Sequence, residues 1–481
     1  MKSPLLTCGA LGLAAALLLS ACGSTPNAAM PALALPTAWQ TTSNVPAGAA
    51  LQAGWWRAFG DPALDTLVEQ ALAHNTDLHI AAARVAEARA LGEAQQAASG
   101  PSLDLGAGLQ RSRSISAATG RPYDASVFQP QFQAAYEVDL WGKLGELNRA
   151  AAAQLQASQA ARDSAALSVA ASTAAAYINL RGLDARLEVA QQTLAARASA
   201  LQLARSRQQR GYSSALETQQ SEAEYRATAQ AIPQLALAIR RQEHGLNVLT
   251  GAAPGAVPRG LALQALQLPA LPATGLPSEL LRRRPDLAGA EAQLAAGDAQ
   301  LAAARAQLLP ALRLSASLGG ISSSALTGNP FTLWGLGGSV LAPLFDGGRL
   351  RAQVGASDAR RKQALAGYEK AVLTAFAEVE DQLTAVEELG RQGVEVQAQR
   401  TALQETLRIA SNRYREGYAS YLDELDAQRN LFSAEQSALQ LRADQLAAQI
   451  GLYRALGGGW SPVYASNKAL SLATQAPTAI N

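Results

Sequence analysis

Histidine, cysteine and methionine are almost missing from this chain: three, two and two among 481 residues. That leaves too little material for a dedicated zinc or soft-metal centre. His74 and His79 sit five apart, not the three or four that share a helix face. Charged residues are only 16%, which argues against a disordered chain, and aromatics only 5%, which argues against a core-rich α/β enzyme. Neither sign of charge prevails: 40 Lys and Arg face 38 Asp and Glu, so nucleic-acid binding through bulk charge is not expected. No Gly-x-Ser-x-Gly elbow occurs, and Gly457-Gly458-Gly459 lacks the Lys-Ser/Thr of a phosphate loop. It reads as a helix stop. With no catalytic constellation and no cofactor site in view, an enzyme is not expected. What the chain has in excess is alanine, the best helix former and small enough to let helices approach closely.

The N-terminus reads as a targeting segment. Lys2, an apolar run over Leu11–Leu19 and small residues before Cys22 make a cleaved leader over 1–21, too short to span a bilayer. Leu19-Ser20-Ala21-Cys22 also resembles the lipobox of bacterial lipoproteins, which makes Cys22 the expected lipidation site. A chance cysteine behind an ordinary leader is the alternative. Gly23, in place of Asp, resembles lipoproteins sent to the outer membrane. Cys8 leaves with the leader, so no disulfide is expected. Residues 22–52, rich in Pro, Ala, Thr and Ser, read as an extended tether.

The remainder is written twice. Asn75-Thr76-Asp77-Leu78 aligns with Arg284-Pro285-Asp286-Leu287, Pro101 with Pro310 and Leu105 with Leu314, all at an offset of 209. Gly211-Tyr212 aligns with Gly417-Tyr418, Glu217 with Asp423 and Gly251 with Gly457, all at 206. Residues 53–250 and 278–457 are therefore two structural repeats. Between them, 251–277 holds prolines at 254, 258, 269, 272 and 277 and cannot be helix. Residues 458–481 form a tail.

Each repeat reads helix, strand, loop, strand, long helical hairpin. Asp61-Pro62 opens a helix expected to run to about Ser99, where Gly100-Pro101 stops it. Apolar and polar residues then alternate over about 102–112 and 130–141, flanking a polar loop near Gly120-Arg121-Pro122. The second repeat has strands over about 311–320 and 331–345. Strands of roughly 9–11 residues with one apolar face suit a membrane barrel, although a half-buried soluble sheet has the same pattern. Four strands cannot close a barrel, and an open edge cannot sit in lipid. The glycine-rich strands leave room for strong curvature, so a trimer with twelve strands fits better than a dimer with eight.

No proline occurs from about Lys143 to Gln208 or from Arg349 to Arg413, so very long helices are expected. Their seams repeat every seven residues, as in Leu180, Leu187, Leu194 and Leu201, or Leu425, Phe432, Leu439, Leu446 and Tyr453. The hairpin tips fall near 211 and 417. The fold class is thus mainly α with a small membrane β-barrel, built from duplicated helix-strand-strand-helix halves.

Trp55-Trp56-Arg57-Ala58-Phe59-Gly60-Asp61-Pro62 resembles the opening signature of TolC-like outer-membrane efflux ducts, closest to their NodT/OprM lipoprotein branch. Leu281-Arg282-Arg283-Arg284-Pro285-Asp286-Leu287 is similar to their second-repeat signature. Pro343-Leu344-Phe345-Asp346-Gly347-Gly348-Arg349 is similar to their strand-to-helix corner. Arg415-Glu416-Gly417-Tyr418 with Leu422-Asp423-Glu424-Leu425-Asp426 is similar to their periplasmic tip. The resemblance spans 50–460 in order. It implies a homotrimeric outer-membrane channel, the passive exit duct of a tripartite efflux system. A periplasmic adaptor (a membrane fusion protein) and an inner-membrane pump are the implied partners, and cargo choice lies with the pump. The rival, a periplasmic adaptor itself, should show one hairpin and lipoyl-like β-segments, not two hairpins with alternating strands.

Two site expectations follow. By resemblance the tips, Gly211, Tyr212 and Ser213 with Gly417, Tyr418 and Ala419, are where the adaptor docks; the plain alternative is that they are only turns. Asp423 and Asp426, three apart, project from similar faces of a helix, and a trimer would stack them as two rings of acids. The resemblance makes them the periplasmic gate, with Tyr414 and Glu217 as the latch between helices; solvated tip acids are the alternative. Ala419 stands where the family can place a latch arginine, which leaves Arg413 or Arg415 as substitutes.

Overall fold

The computed structural model describes residues 36, 38–40, 51–275, 277–325 and 330–460. The expected leader, Cys22, most of the tether and the tail beyond 460 lie outside the described residues. Contacts divide the chain into two compact units. The first has its described part in Ala88–Leu155 and Ala292–Ala366; the second takes in Leu35–Glu87, Gln156–Glu291 and Gly367–Asn481.

The elements run α1 (Pro62–His74), α2 (Thr76–Ala98), β1 (Ser102–Ile115), β2 (Pro122–Val138), α3 (Lys143–Gln209) and α4 (Ala215–Leu249). After the linker come a one-turn helix at Leu280–Arg283, then α5 (Pro285–Ala306), β3 (Ala311–Ser323), β4 (Phe331–Leu341), α6 (Arg349–Arg415) and α7 (Tyr421–Ala455). Both repeats therefore have the same order. No described helix is long and apolar enough to cross a membrane.

In the first unit the four strands form one antiparallel sheet in the order β1-β2-β3-β4. Partners in register face the same side, so Leu105, Phe132, Leu318 and Trp334 form one apolar row and Leu103, Ala134, Ala316 and Leu336 the next. Asp104, Gln133, Ser317 and Gly335 make a row on the other face. The apolar rows are not covered: Leu105 is 67% exposed and Trp334 74%.

Several boundaries differ from the sequence expectation: β1 and β3 run on to Ile115 and Ser323, past 112 and 320, β2 ends at Val138 instead of 141, and three differences are larger. The helix expected from Asp61 to Ser99 breaks at Asn75, which is extended (φ −64, ψ 128). Its backbone N–H closes α1 on the Ala71 carbonyl, while its Oδ1 accepts from the amides of Asp77 (2.9 Å) and Leu78 (3.2 Å) and so caps α2. β2 begins at Pro122, eight residues before the expected start, because Pro122–Gln129 pairs with Ile115–Gly108 across a short turn. The expected loop at 120–122 shrinks to that turn, closed by Ser116 N–H on the Arg121 carbonyl at 2.9 Å. β4 stops at Leu341 instead of 345, just before Pro343, which has no N–H to give a ladder.

At the two strand-to-helix corners a carboxylate takes the first free amides. Asp139 accepts from Leu144 (3.0 Å) and Gly145 (2.8 Å) ahead of α3. Asp346 accepts from Gly348 (3.0 Å) and Leu350 (2.8 Å) ahead of α6.

In the second unit the helices pack through the heptad seams: Leu180, Val372, Val379, Leu425 and Leu446 are all buried. One core cluster gathers Phe59, Leu64, Tyr177, Ile178 and Leu246, and Trp55 stacks on Tyr453 at 5.3 Å. The proline-rich linker is pinned against this core by Val257, Leu263 and Leu266.

Candidate functional site

Both hairpins of the second unit turn in the same way. At the first tip the Tyr212 N–H reaches the Arg207 carbonyl (2.9 Å) with Gly211 at φ 79. At the second the Tyr418 N–H reaches the Arg413 carbonyl (2.7 Å) with Gly417 at φ 80. This is the six-to-one closure of a helix end on a left-handed residue. A Cβ at either glycine would meet nothing within 4 Å, so the backbone angle, and not crowding, requires glycine there. Tyr212 (81%) and Tyr418 (78%) stand out into solvent. Ser213 and Ala419 are half-buried, and Ser213 Oγ donates to the Ala204 carbonyl at 3.4 Å.

Tyr414, in the last turn of α6, and Glu217, in the first turn of α4, come together across the two hairpins. The Tyr414 hydroxyl donates to the Glu217 carboxylate. Burial, then the bond to Glu217 and its charge, push the Tyr414 phenol up to about 12. The guanidinium of Arg207 lies over the Tyr414 ring, 5.1 Å from its centre, and Tyr421 packs on it at 5.5 Å. Arg207 belongs to α3, so the arginine at this contact comes from the opposite hairpin. Arg413 instead reaches the Tyr418 carbonyl (3.5 Å), and Arg415 the Ser411 carbonyl and the Asn412 side chain.

Asp423 spends its carboxylate locally: Oδ2 accepts from the Ser420 backbone N–H and the Ser420 hydroxyl, both at 3.1 Å, at the start of α7. Asp426 is exposed, with Arg429 Nη1 at 3.5 Å from its Oδ1.

One cluster escaped the sequence reading. Glu224 on α4 is buried between two arginines, with Arg429 of α7 2.6 Å from Oε1 and Arg197 of α3 2.9 Å from Oε2. Arg197 also donates to the Glu224 carbonyl (3.0 Å) and to the Thr228 hydroxyl (2.5 Å), and its guanidinium lies 5.4 Å from the centre of the Phe432 ring. Burial lowers the Arg197 pKa, opposed by the Glu224 charge. The signal that could have found it is spacing: Glu224 stands one heptad beyond Glu217 on the same helix. Arg197, Glu224, Arg429 and Asp426 thus form a chain of two cations and two anions. Only its middle link, Glu224 to Arg429, joins the two hairpins.

The profile described as "Outer membrane efflux protein" matches residues 67–252 and 276–458. The chain is 36% identical over 466 residues to the pyoverdine export outer membrane protein OpmQ of Pseudomonas aeruginosa, covering 93% of this chain and 96% of OpmQ. It is 34% identical over 414 residues to the solvent efflux pump outer membrane protein SrpC of Pseudomonas putida, covering 84% and 87%. The solved outer-membrane channel OprN superposes with a TM-score of 0.84 at 31% identity, covering 91% of this chain and 100% of that one. The chain therefore belongs to the outer membrane efflux protein family, as an outer-membrane channel component of an efflux pump with a large helical periplasmic part.

Proposed function

We propose that three copies form a passive exit duct for small molecules, fed by an inner-membrane pump through a periplasmic adaptor. The observation that carries this reading is the sheet. β1 and β4 are its outer strands, and the apolar face between them is exposed. Lipid tolerates no open edge. Four strands from each of three chains close twelve into a barrel, and the long hairpins pool as its periplasmic tunnel. Cys22 carries the lipid and adds a second hold on the membrane beside the barrel.

The tips around Gly211–Ser213 and Gly417–Ala419 dock on the adaptor. A cleft of about 540 Å³ beside the first tip, lined by Leu201, Arg205, Glu222 and Tyr225 among others, supports that reading. Asp423 and Asp426 form the gate, and the Tyr414–Glu217 bond latches one hairpin to the other. Asp423 serves as both cap and gate acid, whereas Asp426 is the freer of the two.

Planar-bilayer recording tests the gate. The resting duct should conduct poorly, prefer cations and be blocked by multivalent cations from the periplasmic side. Asp423→Ala with Asp426→Ala should weaken both the preference and the block, and Tyr414→Phe with Glu217→Ala should open the duct. Unchanged selectivity in the aspartate pair would leave these acids without a role. Bulky substitutions at Ser213 or Ala419 should abolish efflux in cells while the trimer still assembles.

A further inference from the structure

The outer end of the β1–β2 hairpin carries cations on the face that lower down is apolar. Leu103, Leu105 and Leu109 of β1 share a face with their partners Ala134, Phe132 and Phe128. Arg111 and Arg113 continue that face, paired with Ser126 and Asp124. Both arginines are exposed, as is Arg121 in the turn. Among the described residues one acid answers them: Asp124 lies 4.0 Å from Arg113, with both side chains more than half exposed, a geometry that binds weakly. Arg111 has no ion-pair partner among the described residues.

Depth follows from the chain. α2 leads into β1 and α3 leaves β2 at the opposite end of these strands, so the turn at 116–121 is the end remote from the periplasmic helices. Leu109 is the last apolar residue before the arginines. At about 3.4 Å per residue, Arg111 lies roughly 7 Å and Arg113 roughly 14 Å farther along the strand. A barrel tilt of about 40° brings these to roughly 5 and 10 Å along the membrane normal, which is headgroup depth in the outer leaflet.

We propose that Arg111 and Arg113, with Arg121 at the turn, bind the phosphates of the phosphorylated glycolipid that forms the outer leaflet. The proposal rests on the reading of the sheet as part of a membrane barrel. A planar guanidinium meets phosphate oxygens with two parallel hydrogen bonds, and its neighbours on the same face, Leu109 and Phe128, meet the acyl chains of the same lipid. Phosphate in the headgroup layer supplies the anion that the protein withholds.

Native mass spectrometry of the purified full protein with bis-phosphorylated lipid A tests this. The wild type should retain the lipid at least tenfold more tightly than Arg111→Ala/Arg113→Ala, with part of the affinity recovered in the double lysine variant. Dephosphorylated lipid A should bind the wild type no better than the alanine pair binds lipid A, and inorganic phosphate should not displace the lipid. Equal retention by the alanine pair, equal retention of dephosphorylated lipid A or of phosphatidylglycerol, or displacement by inorganic phosphate would each overturn it. Heat-resistant trimer and bilayer conductance are followed in parallel. If the wild type shows neither, the barrel reading fails and takes the proposal with it. If both persist in the alanine pair while lipid retention is unchanged, only the proposal fails.

Discussion

Asp61 is fully buried yet remains well supplied with donors: Ala63 N–H (2.9 Å) on one oxygen, Tyr177 hydroxyl (2.7 Å) and Leu261 N–H (3.0 Å) on the other. Tyr177 in turn accepts from Gly260 N–H at 2.9 Å, so one side chain ties α1, α3 and the linker together. Burial first, then the bond to Asp61, raises the Tyr177 pKa. Tyr177→Phe strands the Gly260 amide and removes a donor from Asp61; we expect a loss of about 1–3 kcal/mol, read from the thermal unfolding midpoint. At the tips, Tyr414 has a pKa of about 12 against an ordinary 10.0. The folded protein holds this proton more tightly than the unfolded chain. The Tyr414–Glu217 bond therefore contributes fully below pH 10 and fades as pH rises through 12. Ultraviolet titration of tyrosinate should show several late-titrating groups, Tyr177 among them, of which one disappears in Tyr414→Phe and moves down in Glu217→Gln; an unmoved titration in Glu217→Gln would show that Glu217 does not hold it.

Among the elements, the heptad seams were legible because seven-residue periodicity is a local property of a helix. The extra length of β2 was not: Pro122-Tyr123-Asp124 has no clean alternation, and it becomes strand only because Ile115, Ser114 and Arg113 lie opposite. The break at Asn75 was missed for a similar reason. An asparagine inside a helical pattern is tolerable, and here it ends α1 because its side chain is also held by the Leu249 carbonyl at 2.9 Å. The corner caps can be tested directly. Asp139→Ala removes acceptors from two α3 amides and should destabilise by about 0.5–2 kcal/mol, measured by denaturant titration, whereas Asp139→Asn, with one acceptor oxygen left, should lose only part of that.

For the whole molecule, the sheet divides substitutions by face. Leu336 is 79% exposed in an apolar row near the middle of the strands, while Ser317 lies on the opposite face. Arginine at a bilayer midplane costs about 2–4 kcal/mol in a barrel. Leu336→Arg should therefore reduce folding into lipid vesicles and the yield of heat-resistant trimer. Ser317→Arg should assemble normally and change ion selectivity instead. Equal assembly of both variants would contradict the assignment of faces.

Duplication, linker, alternating strands, long helices and tip glycines were determined by the sequence alone. Each is written in spacing or in backbone chemistry that acts over a few residues. The tertiary structure decided who meets whom. Tyr414 and Glu217 were named by resemblance; the arginine that lies over the Tyr414 ring is Arg207, from the hairpin that carries Glu217, while Arg413 and Arg415 turn to groups of their own hairpin. Glu224, with Arg197 and Arg429 on either side, is joined only by the packing of α3, α4 and α7. A periodic pattern says which face of a helix is covered. The partner on that face depends on the axial shift and rotation of helices far apart in the chain, and those are set by the packing of all the seams together.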